Sequence, residues 1–265
     1  MNQTDETKTA TTLNCPIENN DTFVERLASK LNTEPKYLTK DQSSWYIIVK
    51  ELLQPNSQNE FNVEWDKHRP KERKQVHLYG KVFNETRWSQ AWGNRPISYS
   101  GLKNDDMNPT EDSTMVTLLL EKVNDLMDDL MPLDEKLIGD DMNARARERK
   151  RHDVLYNACL QNWYEPNDSI GLHSDDENYL IRGMPIFSLS WGGTRRFIFR
   201  SKKKKTEACS TTSISEKVEL WLEGGDLLIM GGLCQDTHKH EVPKLRKTLD
   251  PPTTNRINWT IRALH

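Results

Sequence analysis

Short apolar segments separated by glycines dominate the chain after residue 150. PIFSLSW (185–191) and RRFIFR (195–200) flank Gly192–Gly193, and this arrangement predicts a β-hairpin. DLLIM (226–230) lies between two further glycine pairs and predicts a buried strand. RINWTIR (256–262) alternates between polar and apolar residues, as a strand with two different faces does. The second half of the chain is therefore expected to form antiparallel β-structure.

The first half of the chain has the spacing of helices. From Asp21 onwards, apolar residues recur every three or four positions, which predicts a first helix. A second, short helix is expected over SWYIIVKELLQ (44–54), and a third from Ser113 to Met131, where Pro132 ends it. The third helix carries one apolar stripe, expected to pack against a sheet: Val116, Leu119, Val123, Leu126 and Leu130. Helices followed by many strands predict an α+β domain, a barrel or sandwich of antiparallel strands supported by helices.

Composition excludes several classes of protein. Of the 265 residues 35 % are hydrophobic, and no apolar run reaches the length of a membrane span. The four cysteines are scattered singly, so neither a zinc ribbon nor a disulfide framework is expected. Residues 1–20 are polar, lack the pattern of a secretory signal and are expected to be disordered. These features predict an intracellular protein.

Charge alone leaves the question of nucleic acid open. The formal net charge of −3 argues against bulk attraction to a polyanion. RARERKR (145–151) and RSKKKK (200–205) are nevertheless strongly basic. Each run is as consistent with a solvated face or a flexible loop as with a phosphate contact.

The stretch GLHSDDENY (171–179) has the spacing of a metal site. In extended chain, His173 and Asp175 point to the same face, so both side chains can reach one ion. A second histidine would complete the triad of two histidines and one carboxylate that leaves positions open on Fe(II). His238 and His240 are both candidates, and because they also share a face, periodicity does not choose between them. The alternative is a hydrated acidic loop.

The strand expected at residues 256–262 has one polar face. That face consists of Arg256, Asn258, Thr260 and Arg262. It would either face water or line a pocket for a small dianion, because the planar guanidinium of arginine matches a carboxylate. A ferrous oxygenase that uses 2-oxoglutarate requires such a pocket for the distal carboxylate of its cosubstrate.

Taken together, these motifs resemble those of the AlkB family of Fe(II)/2-oxoglutarate dioxygenases. NWY (162–164), HSD (173–175), GGDLLIMGG (224–232), a histidine three residues before Pro243, and RxNxTxR (256–262) occur in the order of that family. The resemblance covers roughly residues 75–265 and is closest to the cellular AlkB homologues that repair alkylated DNA and RNA. It implies a double-stranded β-helix (jelly-roll) core with supporting helices. Residues 21–265 would form one such domain, in which residues 21–110 are a helical and nucleotide-recognition extension.

The resemblance also implies a role for individual residues. It gives the iron ligands as His173, Asp175 and His240, where His240 is preferred to His238 because of its spacing from Pro243. It gives the contacts to 2-oxoglutarate as Asn162, Tyr164, Arg256, Asn258 and Arg262. The cofactors implied are Fe(II) and the cosubstrate 2-oxoglutarate.

The activity that the resemblance implies is oxidative demethylation of N-alkylated nucleobases, of the 1-methyladenine and 3-methylcytosine type, in DNA and also RNA. The reaction consumes O₂ and 2-oxoglutarate and releases formaldehyde, succinate and CO₂. The expected partners are alkylated DNA or RNA and no membrane, and the chain is expected to act as a monomer in the nucleus or the cytoplasm. The alternatives are an eraser of RNA modifications and a catalytically inactive reader of modified nucleic acid.

Substrate contacts are expected from four regions. Asp176 and Glu177 would face the positive charge of the methylated base, or else brace their loop. Trp92 and Tyr99 resemble the aromatic segment of repair members, with core packing as the alternative for Trp92. A phosphate track is expected from Arg195, Arg196, Arg200 and Lys202–Lys205. In VHLYGK (76–81), Leu78 and Tyr79 would form a wedge into the base stack, with Gly80 at the turn and strand packing of Tyr79 as the alternative.

Overall fold

The computed structural model of the protein describes residues 20–78, 80–93, 98–99, 102–103, 107–130, 155–202 and 213–265. Residues 1–19 of the N-terminal tail, the basic run 145–151 and the lysines at 203–205 lie outside these ranges. The disorder expected of the tail therefore stays a prediction. Tyr79 and the side chain of Tyr99 also lie outside the described part. Within it, no helix combines the length and the apolar character that a membrane crossing requires.

Helices and strands alternate in the first half of the chain, contrary to the expected order of helices before strands, and strands dominate the second half. The helices are α1 (Asn20–Lys30), α2 (Gln58–Lys67), α3 (Thr114–Leu130) and a short turn of helix at Cys234–Thr237. The strands before α3 are β1 (Lys36–Tyr37), β2 (Ser44–Val49), β3 (Gln75–Leu78), β4 (Lys81–Asn84), β5 (Trp88–Gly93), β6 (Ser98–Tyr99) and β7 (Leu102–Lys103). Those after it are β8 (Tyr156–Tyr164), β9 (Ile170–His173), β10 (Ile186–Gly192), β11 (Arg195–Ser201), β12 (Lys217–Leu222), β13 (Leu227–Gly232), β14 (His238–Val242) and β15 (Arg256–Ala263).

Two antiparallel sheets form the core. One has seven strands in the order β1-β2-β13-β10-β15-β8-β5, and the other has four in the order β12-β11-β14-β9. Apolar side chains of both sheets pack together between them, as the Tyr46 and Phe199 rings do at 5.4 Å. The expected α+β class with a double-stranded β-helix core and supporting helices is confirmed.

A second apolar layer lies between the seven-stranded sheet and the helices. The predicted third helix is confirmed as α3, and most of its predicted stripe is buried against this sheet, although Leu126 is only partly buried. Ile257, Trp259 and Ile261 of β15 belong to the same layer. Because side chains alternate along a strand, the polar face of β15 must point the other way, into the space between the two sheets.

The helix expected at residues 44–54 is wrong, because this segment forms β2. Six consecutive residues of β2 pair with β13, from Ser44 opposite Gly232 to Val49 opposite Leu227. The segment is rich in aromatic and β-branched residues, which suit a strand buried on both faces. Short apolar runs of this kind have no periodicity that separates a buried strand from a helix, so the long-range pairing decides the conformation.

The hairpin expected at Gly192–Gly193 is also wrong. β10 pairs with β13 and β15 in the large sheet, whereas β11 pairs with β12 and β14 in the small one. The chain therefore crosses from one sheet to the other at these glycines. Gly192 has a φ of 84°, and a Cβ there would collide with the carbonyl oxygen of Asn255, so the crossing requires glycine.

Candidate metal and cosubstrate site

Three potential metal ligands come together where β9 and β14 pair. His173 ends β9 and lies opposite His240 on β14, and the ring centroids are 4.3 Å apart. Asp175 follows β9 by two residues, and its two oxygens lie 3.9 Å from Nε2 of His173 and 3.9 Å from Nε2 of His240. The possible ligand atoms of all three lie within 4.8 Å of one another, so one ion can contact all three. Two imidazoles and one carboxylate are the donor set suited to Fe(II).

Both imidazoles are held in the form that can bind a metal. Nδ1 of His173 lies 2.8 Å from the carbonyl oxygen of Gly171, so Nδ1 carries the proton and Nε2 keeps its lone pair. Burial and then the neighbouring His173 lower the pKa of His240 to about 3, so its ring is neutral at physiological pH. The ring of His240 stacks on Phe197 at 5.3 Å, which fixes its plane.

The structure distinguishes His240 from His238. Both are buried on β14, but His240 lies opposite His173, whereas His238 lies opposite Ser201 of β11. Nδ1 of His238 is 2.8 Å from the Thr237 hydroxyl, and only His240 joins the cluster of ligand atoms. This arrangement agrees with the sequence-based preference for His240.

An arginine and a glutamine fix Asp175. Arg262 donates from Nη2 to Oδ1 of Asp175 at 2.6 Å, and the backbone N–H of Asp175 donates to Oε1 of Gln235 at 3.0 Å. Burial raises the pKa of Asp175, but the charges around it, that of Arg262 first, together outweigh burial and hold that pKa below its usual value. The carboxylate is therefore ionised and fixed in orientation. No motif in the sequence pointed to Gln235.

The cavity between the two sheets begins at this cluster. Its lining includes all three potential metal ligands and every residue predicted to contact 2-oxoglutarate. Asn162 and Tyr164 reach it from β8, and Arg256, Asn258 and Arg262 reach it from β15. β8 and β15 pair with Asn162 opposite Asn258 and Tyr164 opposite Arg256, so the two motifs become neighbours.

Arg256 has unused hydrogen-bond donors in this cavity. Its side chain is buried, Nη2 donates to the Ser190 hydroxyl at 2.8 Å, and the guanidinium lies 5.1 Å from the centroid of the Tyr164 ring. Nε and Nη1 have no hydrogen-bond partner among the described residues. Burial lowers the pKa of Arg256 to about 10, which still leaves it charged at neutral pH. A buried cation with two unmatched N–H groups is suited to a carboxylate, so the residues fit the distal end of 2-oxoglutarate.

Asn258 and Thr260, which also line the cavity, are engaged within the protein. Asn258 donates from Nδ2 to the Ser188 hydroxyl and to the carbonyl oxygen of Leu189, each at 2.8 Å, and accepts from Thr260 at 3.2 Å. Arg262 likewise has no hydrogen-bond partner for Nε and Nη1 among the described residues, but the carboxylates of Asp175 and Glu177 already lie beside it. Arg256 forms no ion pair with a described carboxylate of the protein, so of the two predicted arginines it is the better candidate for a carboxylate ligand.

The two acids that follow Asp175 differ in environment. Asp176 is exposed and lies 3.6 Å from Nζ of Lys202. Glu177 is largely buried, with Oε1 3.8 Å from Nη1 of Arg262 and with no hydrogen-bond partner for Oε2 among the described residues. Burial raises the pKa of Glu177 and outweighs the opposing charge of Arg262. Both acids line a second cavity beside Asp175, whose other walls include the apolar side chains of Leu180, Ile181 and Met184.

Two predicted substrate contacts lie in the interior instead. Arg196 is buried, donates to Asp250 at 2.9 Å and to the carbonyl oxygen of Lys244, and is not available to a phosphate. Trp92 is 0 % exposed, and its indole N–H donates to Gln161 at 3.1 Å, so it cannot stack on a base. The core-packing alternative for Trp92 is therefore the correct one. Neither β5 nor β11 alternates in burial, so the sequence held no signal of which residues face solvent.

The rest of the predicted phosphate track is mostly engaged within the protein. Arg195 is buried and donates to the carbonyl oxygens of Asp168 and Pro243, and Lys202 donates to that of Gln235. Arg200 is partly exposed and pairs with Glu241 at 3.1 Å. The described members of the track therefore do not form a free cationic surface.

The segment expected to carry the wedge forms a hairpin. β3 and β4 pair antiparallel, with Leu78 opposite Lys81, and Gly80 in the turn has a φ of 74°. On β4, Val82 is 52 % exposed and Phe83 is 49 % exposed. The hairpin thus presents apolar side chains to its surroundings, although Tyr79 itself is outside the described residues.

Comparisons of the sequence relate the chain to known proteins. A sequence model of the 2OG-Fe(II) oxygenase superfamily matches residues 33–262. Human alpha-ketoglutarate-dependent dioxygenase alkB homolog 3 is 40 % identical over 125 residues, which are 47 % of this chain and 41 % of that protein. The mouse DNA oxidative demethylase ALKBH2 is 37 % identical over 110 residues, which are 41 % of this chain and 44 % of that protein.

More distant matches extend the comparison. The DNA N(6)-methyladenine demethylase ALKBH1C of Arabidopsis thaliana is 30 % identical over 120 residues, which are 41 % of this chain and 24 % of that protein. The solved structure entitled "The structure of OsALKBH1" aligns with a TM-score of 0.48 and 19 % identity over 86 % of this chain and 99 % of that one. The chain spans less than half the length of these curated relatives. It belongs to the 2OG-Fe(II) oxygenase superfamily, and its resemblance to the AlkB homologues is confirmed.

Proposed function

We propose that this oxygenase demethylates N-alkylated bases in DNA or RNA, with methylated bases that carry a positive charge as its preferred substrates. The observation that carries the proposal is the position of Glu177, a buried carboxylate beside the potential metal ligand Asp175 and at the wall of the adjoining cavity. The names of the similar proteins, alkB homolog 3 and DNA oxidative demethylase ALKBH2, support the same class of substrate.

His173, Asp175 and His240 would hold Fe(II), and Arg256 would bind the distal carboxylate of 2-oxoglutarate. When bound, Fe(II) and 2-oxoglutarate supply the oxidation by O₂ that removes a methyl group from nitrogen. Arg262 keeps the carboxylate of Asp175 ionised and oriented. The apolar walls near Ile170 and Phe197 limit the access of water to the cavity, which strengthens the electrostatic contacts inside it.

Glu177 provides a physical basis for selecting a damaged base. 1-Methyladenine and 3-methylcytosine carry a positive charge that the normal bases lack. At a separation of about 4 Å and an effective dielectric constant of about 20, an anion stabilises such a charge by roughly 4 kcal/mol, whereas a neutral base gains no such term. The exposed Asp176 is screened by water and contributes less.

The hairpin of β3 and β4 supports contact with nucleic acid. Exposed Val82 and Phe83 lie on it, and the exposed Lys71 precedes it. Apolar side chains that enter a base stack offset part of the cost of extruding a base, and cations attract the phosphates. The intact cluster of metal ligands argues against a reader without catalysis.

Formaldehyde release tests the proposal and separates its forms. Methylated single-stranded DNA, duplex DNA and RNA of one sequence are compared, with Fe(II), 2-oxoglutarate and O₂ present and with Asp175→Ala as the inactive control. Release from at least one 3-methylcytosine substrate, dependent on 2-oxoglutarate, is expected, and its rank among the three substrates distinguishes DNA repair from RNA demethylation. No release from any of them would refute the proposal.

A further inference from the structure

A buried arginine from outside the predicted motifs contacts a residue of the cosubstrate cavity. Arg87 lies just before β5, is buried, and donates from Nε to Oδ1 of Asn162 at 2.7 Å. Its Nη1 lies 3.5 Å from Oε1 of Glu85, and the hydroxyl of Ser89 donates to Oε2 of Glu85 at 2.6 Å. Glu85 thus balances the charge of Arg87, and Arg87 in turn is directed at Asn162.

This contact decides which end of the Asn162 amide faces the cavity. A guanidinium N–H only donates, so the partner atom must be the amide oxygen. The amide nitrogen then lies on the other branch of the side chain, and no described residue takes it as a hydrogen-bond donor. Asn162 lines the cavity and pairs with Asn258 on the adjacent strand, so its N–H₂ group is available to an oxygen atom of a ligand.

Without Arg87 the amide is free to rotate by half a turn. The two orientations of an asparagine side chain have nearly the same shape but opposite polarity. In the reversed orientation, the carbonyl oxygen of Asn162 would face the oxygens of an anionic ligand and repel them. By donating to the amide oxygen of Asn162, Arg87 therefore leaves the N–H₂ group as the end of the amide that faces the cavity.

We propose that Arg87 is a positioning residue for the cosubstrate, which acts by fixing the amide of Asn162 with its nitrogen towards the cavity. The inference rests on the proposed role of Asn162 as a contact to 2-oxoglutarate. It adds a residue from outside the predicted metal ligands and cosubstrate contacts, whose charge also lowers the pKa of His173 and of Asp175. Arg87 lies 75 positions before Asn162 in the chain, and only the pairing of β5 with β8 brings the two together.

Binding of 2-oxoglutarate to the Mn(II)-loaded protein, measured by titration calorimetry without turnover, tests the inference through a double-mutant cycle. Arg87→Met and Asn162→Ala are each expected to raise the Kd about tenfold, or about 1.4 kcal/mol. The double variant should be no weaker than the weaker single variant, because Arg87 acts through Asn162. Independent losses that multiply to about a hundredfold, or an unchanged Kd in Arg87→Met, would overturn the inference.

Two further variants separate positioning from folding. Arg87→Gln keeps an N–H donor for Asn162 but removes the positive charge beside Glu85, so a lower Tm with a nearly normal Kd is expected. Arg196→Met, which removes a buried arginine that pairs with Asp250 and does not line the cavity, should lower the Tm and leave the Kd unchanged. If affinity instead follows Tm across all variants, Arg87 has only a structural role. Loss of 2-oxoglutarate binding by the parent protein itself would refute the proposed function, not this inference alone.

Discussion

Arg262 and Asp175 form a buried ion pair with an Nη2–Oδ1 distance of 2.6 Å, and each side chain is 3 % exposed. The pair joins the last strand, β15, to the proposed metal site. Arg262 therefore orients a proposed metal ligand in addition to lining the cosubstrate cavity.

Removing this arginine should weaken metal binding in acid. In Arg262→Met, Asp175 keeps the desolvation that raises its pKa and loses the largest of the charges that lower it. A carboxylate with a lowered pKa stabilises the folded and metal-bound forms above its usual pKa and loses that effect as the pH falls through the lowered value. We expect the pH at which Mn(II) binding is half lost to rise, and the free energy of unfolding to fall by about 3–5 kcal/mol. A pH profile identical to that of the parent protein would contradict this.

Removal of a proposed metal ligand should reduce activity far more than removal of the nearby His238. His173→Ala, Asp175→Ala and His240→Ala are each expected to abolish Fe(II)-dependent turnover and to weaken Mn(II) binding severely, because each removes one donor of three. His238→Ala should retain most of both. Full activity of His240→Ala together with loss in His238→Ala would reverse the assignment.

Even the replacement of Arg256 by lysine should weaken the binding of 2-oxoglutarate. Arg256→Lys keeps the charge but loses the planar pair of donors, so the Kd for 2-oxoglutarate should rise tenfold or more, at least about 1.4 kcal/mol. The matched control is a 2-oxo acid without the distal carboxylate, such as 2-oxobutyrate, whose weak binding should be the same in both proteins. An unchanged Kd for 2-oxoglutarate in Arg256→Lys would exclude Arg256 as the carboxylate ligand.

Glu177 should discriminate between charged and neutral bases. Glu177→Gln is expected to lower kcat/KM for 3-methylcytosine more than for neutral 3-methylthymine, with a smaller difference for the exposed Asp176→Asn. Because burial raises the pKa of Glu177, its charge is lost at a higher pH than that of an ordinary glutamate. The preference for the cationic base should therefore decline as the pH falls through that value. Equal losses on both substrates would favour a role in bracing the loop.

Tyr79 should matter for duplexes only. Tyr79→Ala is expected to lower kcat/KM on methylated duplex DNA about tenfold and to leave single-stranded DNA almost unchanged, because only the duplex requires a base to be extruded from the stack. Losses of similar size on both substrates, together with a lower Tm, would show instead that Tyr79 is a packed strand residue.

The features that the sequence predicted are those set by local spacing. The faces of β15 followed from alternation, and the proximity of His173 to Asp175 followed from their separation by two residues. The choice of His240 and of the cosubstrate contacts came instead from the resemblance to the AlkB family. Where long-range pairing decides, prediction was wrong: β2 is a strand because β13 lies beside it, and Gly192 separates two sheets and not two paired strands. The burial of Trp92 and Arg196 depends on neighbours that are distant in sequence, and so does the contact between Arg87 and Asn162.

Every residue of β15 is buried, with the apolar core on one side and the proposed catalytic cavity on the other. A substitution in β15 therefore affects either the stability of the fold or the proposed catalytic cavity, depending on the face. A one-residue insertion would exchange the two faces. Variation that changes substrate preference while leaving both intact must then arise elsewhere. Among the described residues, the hairpin of β3 and β4 forms a separate two-stranded sheet with an exposed second strand, and substitutions there can vary without disturbing either face of β15.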